Sequence, residues 1–164
     1  MRKINNFLEK ITYKENYLHS SKIAKEVLFY KIEEIYKGSN LKKKNIEKVY
    51  EAILDLLGTS ALEGLEIIDS LVKTSKVKGD ICEFGVAQGK TSKLIAYLIK
   101  DMKKKLYLFD SFQGLPRPSK EDTLINDIFS LGNIQAYEGK MCHPKHKVLK
   151  EISKVKFSKK KLII

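Results

Sequence analysis

An α/β fold with parallel strands is predicted by three observations in this 164-residue chain. The run Gly79-Asp80-Ile81-Cys82-Glu83-Phe84-Gly85-Val86 joins an apolar stretch to an acid and a glycine, and Gly89 then precedes helical periodicity. A second apolar run, Leu106-Tyr107-Leu108-Phe109, closes on Asp110. A third, Leu162-Ile163-Ile164, stands at the end. A strand, a glycine turn, a helix and a second strand tipped with an acid make half of a nucleotide-binding α/β unit.

The elements follow in order. Residues 1–45 give only a broken helical spacing (Leu18, Ile23, Val27, Phe29, Ile32, Ile35), read as two helices around His19-Ser20-Ser21 and interrupted at Gly38-Ser39-Asn40. Ile46, Val49, Tyr50, Ile53, Leu56 and Leu57 fit one helix face, with Gly58 as its C-cap. Ser60 opens the next helix with Glu63 in the capping-box position, and Leu62, Leu65, Ile68, Leu71 and Val72 form its buried stripe. The first strand is predicted over Asp80–Gly85, a helix burying Leu94, Ile95, Leu98 and Ile99 over Thr91–Met102, and the second strand over Leu106–Asp110. Ser111 to about Pro144 carries Pro116, Pro118, Gly132 and Gly139 with short apolar clusters only. A segment of this kind reads as a substrate lid, with Arg117 and Tyr137 toward an acceptor, or as disorder. A helix over Lys145–Ser153 leads to the last strand.

The spacing in the turn narrows the ligand. A dinucleotide turn needs G-x-G-x-x-G, and here Glu83-x-Gly85-x-x-x-Gly89 lacks the pyrophosphate-facing glycine. Gly89-Lys90-Thr91-Ser92 imitates the second half of a P-loop, but three residues rather than four separate the glycines, and Phe84 stands where the first glycine belongs. An E-x-G-x-x-x-G turn suits S-adenosylmethionine (SAM): the glycines admit the methionine part. Position then suggests roles. Glu83 meets the methionine amino group, and Gly85 and Gly89 shape the turn. Thr91 caps the helix and contacts the carboxylate, an anion that a helix N-terminus favours. Asp110 holds the ribose hydroxyls, Ser111 and Phe112 border the adenine, and Lys90 is solvent-exposed without a role.

The first motif, together with the unbroken block Asp110-Ser111-Phe112-Gln113-Gly114-Leu115-Pro116, resembles the macrocin O-methyltransferase (TylF-type) family. Ala87-Gln88 and Gly89-Lys90 stand where family members more often carry an aromatic-basic pair and paired glycines. The resemblance runs from about Ser60 to the end of the chain. It implies a Rossmann-like class I methyltransferase fold, SAM as cofactor, transfer to a hydroxyl of a sugar or glycoside, and a cofactor-binding set that includes Val86 beside the residues above. It also implies helices before the first strand that help form a homo-oligomer, and a divalent metal (Mg2+) held by residues that would lie beyond Ile164. The general base would lie there too, leaving the catalytic residues unassigned. On this reading residues 1–59 are a helical region and residues 60–164 the first part of a SAM-binding domain. The chain is then the N-terminal fragment of a longer enzyme, inactive alone.

Composition bounds the remaining classes. Apolar residues make up 43%, no apolar run approaches the roughly 18 residues of a membrane span, and two cysteines give no disulfide framework, so a cytoplasmic protein is expected. The formal charge of +12 comes almost wholly from lysine, with arginine only at Arg2 and Arg117. Without arginine forks or interleaved aromatics, a solvated lysine-rich surface is a better reading than a dedicated nucleic-acid site. Cys142-His143 and His146 imitate a zinc half-site, but the second ligand pair of a structural site is missing. Two other classes remain open: a P-loop-like module, marked by Mg-ATP binding that depends on Lys90, and a non-enzymatic basic protein, marked by salt-sensitive polyanion binding.

Overall fold

The computed structural model describes residues 22–37, 39 and 44–164. Helix α1 covers residues 22–36, followed by α2 (Ile46–Leu54), α3 (Ala61–Lys73), β1 (Ile81–Phe84), α4 (Lys90–Ile99), β2 (Leu106–Phe109), α5 (Lys145–Ser153) and β3 (Leu162–Ile163). The strands form a parallel sheet in the order β1-β2-β3, with Glu83 opposite Leu108, Phe84 opposite Phe109 and Tyr107 opposite Ile163. This is the expected mixed α/β, Rossmann-like arrangement. The helix expected around His19 lies outside the described residues.

One apolar core joins the layers. Ile32 and Tyr36 of α1, Val49 and Ile53 of α2, and Ile68 and Leu71 of α3 share it with Leu94 and Ile99 of α4, Leu106 and Leu108 of β2, and Val148 and Ile152 of α5. Its wall on the sheet is set by strand alternation: Leu106 and Leu108 are buried while Phe109 is exposed, and in β1 Phe84 is exposed beside partly buried Glu83. On the open face the Phe84 and Phe109 rings stack at 4.8 Å. Cys82 is also exposed there, and β1 is an edge strand of the described sheet.

Several element ends differ from expectation. Helix α2 stops at Leu54 with Asp55 as C-cap, a turn before Gly58, because Asp55 is drawn to lysines of α4. The Ser60–Glu63 capping box forms in both directions, and α3 buries Ile68 and Leu71 as expected, whereas Leu62 is exposed. Helix α4 starts one residue early, at Lys90, and ends at Ile99 instead of Met102. There the Lys161 ammonium donates to the carbonyls of Lys100 (2.9 Å) and Met102 (2.6 Å), satisfying acceptors that a helix end leaves open. Lys104, buried, likewise closes the entry to β1 by donating to the Val77 and Gly79 carbonyls. Part of the lysine excess therefore serves the fold. Among the described residues no helix is long and apolar enough to cross a membrane.

Candidate functional site

The site is built where β1 and β2 end side by side. Gly85 follows β1 with φ +81, a left-handed conformation that favours glycine, and its N–H donates to the Phe109 carbonyl at 2.9 Å. Nothing lies within 4 Å of the place a Gly85 Cβ would occupy, so this side of the turn is open to a ligand. Gly89 differs: its φ is +74 and a Cβ there would meet Val148 at 2.9 Å, so α5 closes against the far end of the turn. Gly89 is itself the N-cap of α4 and no side chain caps the helix. The cap expected of Thr91 is thus corrected. Thr91 is the second helical residue, and its hydroxyl meets that of Thr59 at 3.1 Å, linking α4 to the α2–α3 connection.

Asp110 ties the two strand ends together. Its Oδ2 accepts the N–H groups of Val86 (2.8 Å) and Ala87 (3.4 Å), and its Oδ1 accepts that of Phe112 (2.7 Å). Burial opposes its charge, yet the bonds from Phe112, Val86 and Ala87, with a smaller contribution from His143, hold its pKa below the ordinary value. Ala87 and Phe112 both take positive φ (44° and 56°), and those bonds offset the cost of such backbone. Three acceptor positions of the carboxylate are thereby used; a carboxylate offers about four. Val86 is buried under the turn, and Phe112 packs against the core, with its carbonyl accepting the Cys142 thiol. Ser111 stays exposed and closes a local turn, accepting from the Gln113 N–H and donating to the Gly114 carbonyl.

Glu83 lies on the covered face of β1, and its Oε2 accepts the Ser92 hydroxyl at 2.6 Å. Burial pushes the Glu83 carboxyl up to about 7; the Ser92 bond works the other way, and the negative charge of Asp110 adds to the rise. A partly buried acid held near neutrality beside an open turn is suited to a cationic group. Sequence reading missed Ser92, whose only signal was a small polar residue in an otherwise apolar helix face.

Lys90 is not solvent-exposed as expected. Its ammonium meets both oxygens of Asp55 (2.8 and 3.0 Å) and Glu151 at 3.3 Å. Lys93 pairs with the same two acids, and Lys154 meets Glu151 at 2.5 Å. Burial disfavours charge on Glu151, but bonds from Lys154, Lys93 and Lys90 outweigh it and bring its pKa down to about 2. Two lysines in the first turns of α4 oppose the helix dipole, and the acids of α2 and α5 compensate them. Lys90 is therefore engaged as a structural cation rather than turned toward a phosphate.

The segment after β2 is folded back on itself. Leu115 donates to the Lys140 carbonyl and accepts from the Gly139 N–H, both at 2.9 Å. Tyr137 is buried and donates to Asp127 at 2.7 Å, so its hydroxyl is committed within the segment, against the expectation that it faces an acceptor; Arg117 is exposed. Among the described residues no group of three or more His, Cys, Asp or Glu is arranged to hold a metal ion.

The parallel strands, the glycine turn and the carboxylates at the two strand ends define an α/β protein with an open turn between β1 and α4. The family model for macrocin-O-methyltransferase (TylF) matches residues 6–137, most of the chain, and this chain belongs to that family. Among solved structures it is similar to CalS11, a calicheamicin methyltransferase, at 17% identity and a TM-score of 0.44. That similarity covers 84% of this chain and 55% of the other, so the chain spans about half the length of the structure it matches. No curated protein matches it.

Proposed function

We propose that this chain carries the donor half-site of a SAM-dependent O-methyltransferase whose acceptor is a hydroxyl of a small molecule, a sugar or glycoside. The reading places residues 60–164 in the SAM-binding domain and residues 1–59 in a helical region beside it. The observation that carries it is the pair of strand-end carboxylates, Glu83 and Asp110, flanking a left-handed Gly85 with open space where a Cβ would stand. The residues fit an amino-acid-bearing nucleoside. Glu83 would take the ammonium, which relieves the cost of a buried carboxylate. Asp110 would accept from the ribose hydroxyls with the acceptor capacity left after the three backbone bonds. Gly85 would let the ligand approach the backbone of the turn, with Val86 beneath it and Gly89, packed on Val148, shaping its far end. Thr91, in the first turn of α4, would lie near its carboxylate, and Ser111 and Phe112 would border the base.

Bound SAM supplies a methyl group on a positively charged sulfur, open to in-line displacement. The residues of this chain contribute alignment, holding the donor so that one face of that carbon meets the acceptor oxygen. The base that removes the acceptor proton is assigned to no residue here.

Titration of the full chain with S-adenosylhomocysteine tests the reading. A melting temperature that rises with ligand and does not rise in Asp110→Ala supports it. A cooperative melt indifferent to ligand overturns it.

A further inference from the structure

We propose that Ser92 is a positioning residue of the donor site, its hydroxyl fixing the Glu83 carboxylate beneath the glycine turn before ligand arrives. The inference deepens the donor-site reading and rests on it.

Ser92 is fully buried, and its hydroxyl donates to Glu83 across the gap between α4 and β1. A helical serine ordinarily turns its hydroxyl back to a carbonyl in the preceding turn or out to water. Here it leaves its own helix and selects one oxygen of a carboxylate on a neighbouring strand. A glutamate has three side-chain torsions to lose when it grips a cation, and a partner that restricts them in advance lowers the cost of binding. The bond engages Oε2 and leaves Oε1 available to accept from the ligand ammonium.

Among the described residues no lysine or arginine pairs with Glu83. From the end of β2, Asp110 adds negative charge, and His143 acts on Asp110. From α4, Lys90 and Lys93 are held by Asp55 and Glu151, and Thr91 by Thr59. Helix α5 presents the apolar Val148 to the turn. The ligand is thus the cation that Glu83 awaits, and Ser92 keeps that carboxylate in place and favours its charged form against burial.

The test measures S-adenosylhomocysteine affinity by calorimetry from about pH 6 to pH 9 for the wild type, Ser92→Ala, Glu83→Gln and the double variant, with Glu83 followed by carboxyl NMR in the free protein. Ser92→Ala is expected to weaken binding at pH 7 by about tenfold and to move the rising limb of affinity to higher pH, since the lost bond favoured the carboxylate. In the Glu83→Gln background the same change should add less than about twofold, the mark of action through Glu83. Ser92→Cys, close in size and a weaker donor, should fall between, and it carries the test if Ser92→Ala does not fold. Equal losses in both backgrounds, or an unmoved limb, overturn the role of Ser92 while leaving the donor site standing. A wild type that ignores S-adenosylhomocysteine at every pH overturns both, and a Glu83 titration still sensitive to Ser92 then locates the failure in the donor reading.

Discussion

Asp110 Oδ2 accepts the Val86 N–H at 2.8 Å, so the acid ending β2 holds the turn that leaves β1. The same carboxylate restrains two residues with positive φ, Ala87 and Phe112. Its first role is therefore structural, with any ligand role added to it. Asp110→Asn keeps one acceptor oxygen and should cost about 1 kcal/mol, and Asp110→Ala about 2 kcal/mol. Amide exchange is the direct measurement: Val86, Ala87 and Phe112 should lose protection together in Asp110→Ala. Unchanged exchange at those three amides would show that the turn holds its shape without the carboxylate.

The Asp110–Pro116 block has a second structural reason. A Cβ on Gly114 would stand 2.5 Å from the carbonyl oxygens of Gly139 and Lys140, and Gly114 itself has φ +86. The block is a docking seat for residues 139–140, which bond to Leu115 on either side. Gly114→Ala should destabilise the protein by about 2–3 kcal/mol through backbone strain and the clash. Urea denaturation measures this, and a loss within experimental error would mean that the two strands of the loop separate at little cost.

Local signals were the ones legible in the sequence. The Ser60–Glu63 box needs only residues three apart, and it formed as read. Apolar runs 106–109 and 162–163 became adjacent parallel strands, short apolar stretches of the kind a sheet covered by helices takes up. Features with distant partners were not legible. The end of α2 depended on lysines of α4, the exposure of Lys90 on Asp55 and Glu151, and the burial of Tyr137 on Asp127. Ser92 shows the limit for the site itself: its meaning lies in Glu83 on another element, and no periodicity in α4 announces it.

The ion cluster Asp55–Lys90–Lys93–Glu151 joins α2, α4 and α5 around the end of the turn. Glu151 has a native pKa below its unfolded value, so its contribution is present above about pH 4.5 and is lost as pH falls toward 2. Glu151→Gln should therefore destabilise by about 1–2 kcal/mol at pH 7, where it leaves Lys90 and Lys93 with one acid between them. The difference from wild type should shrink on acidification and vanish near pH 2. Urea midpoints across that range read the effect, and a pH-independent difference would assign the loss to packing of Glu151 and not to its charge.

Glu83 carries the opposite dependence. Its native pKa, about 7, lies above that of an unfolded glutamate, so its favourable contribution is complete below about pH 4.5 and is lost as pH rises through 7. At pH 8 the ligand-free protein holds a partly buried carboxylate that disfavours the fold. Glu83→Gln removes that charge, keeps an oxygen for the Ser92 hydroxyl, and should stabilise the free protein by about 2 kcal/mol at pH 8, with little effect at pH 4. Affinity for S-adenosylhomocysteine should fall in the same variant, because the ammonium loses its counter-charge. Melting temperatures at both pH values, with and without ligand, test the pairing of gain and loss. A variant less stable than wild type at pH 8 would show that the Glu83 charge supports the fold, and a stabilised variant with undiminished affinity would show that the ligand does not use it.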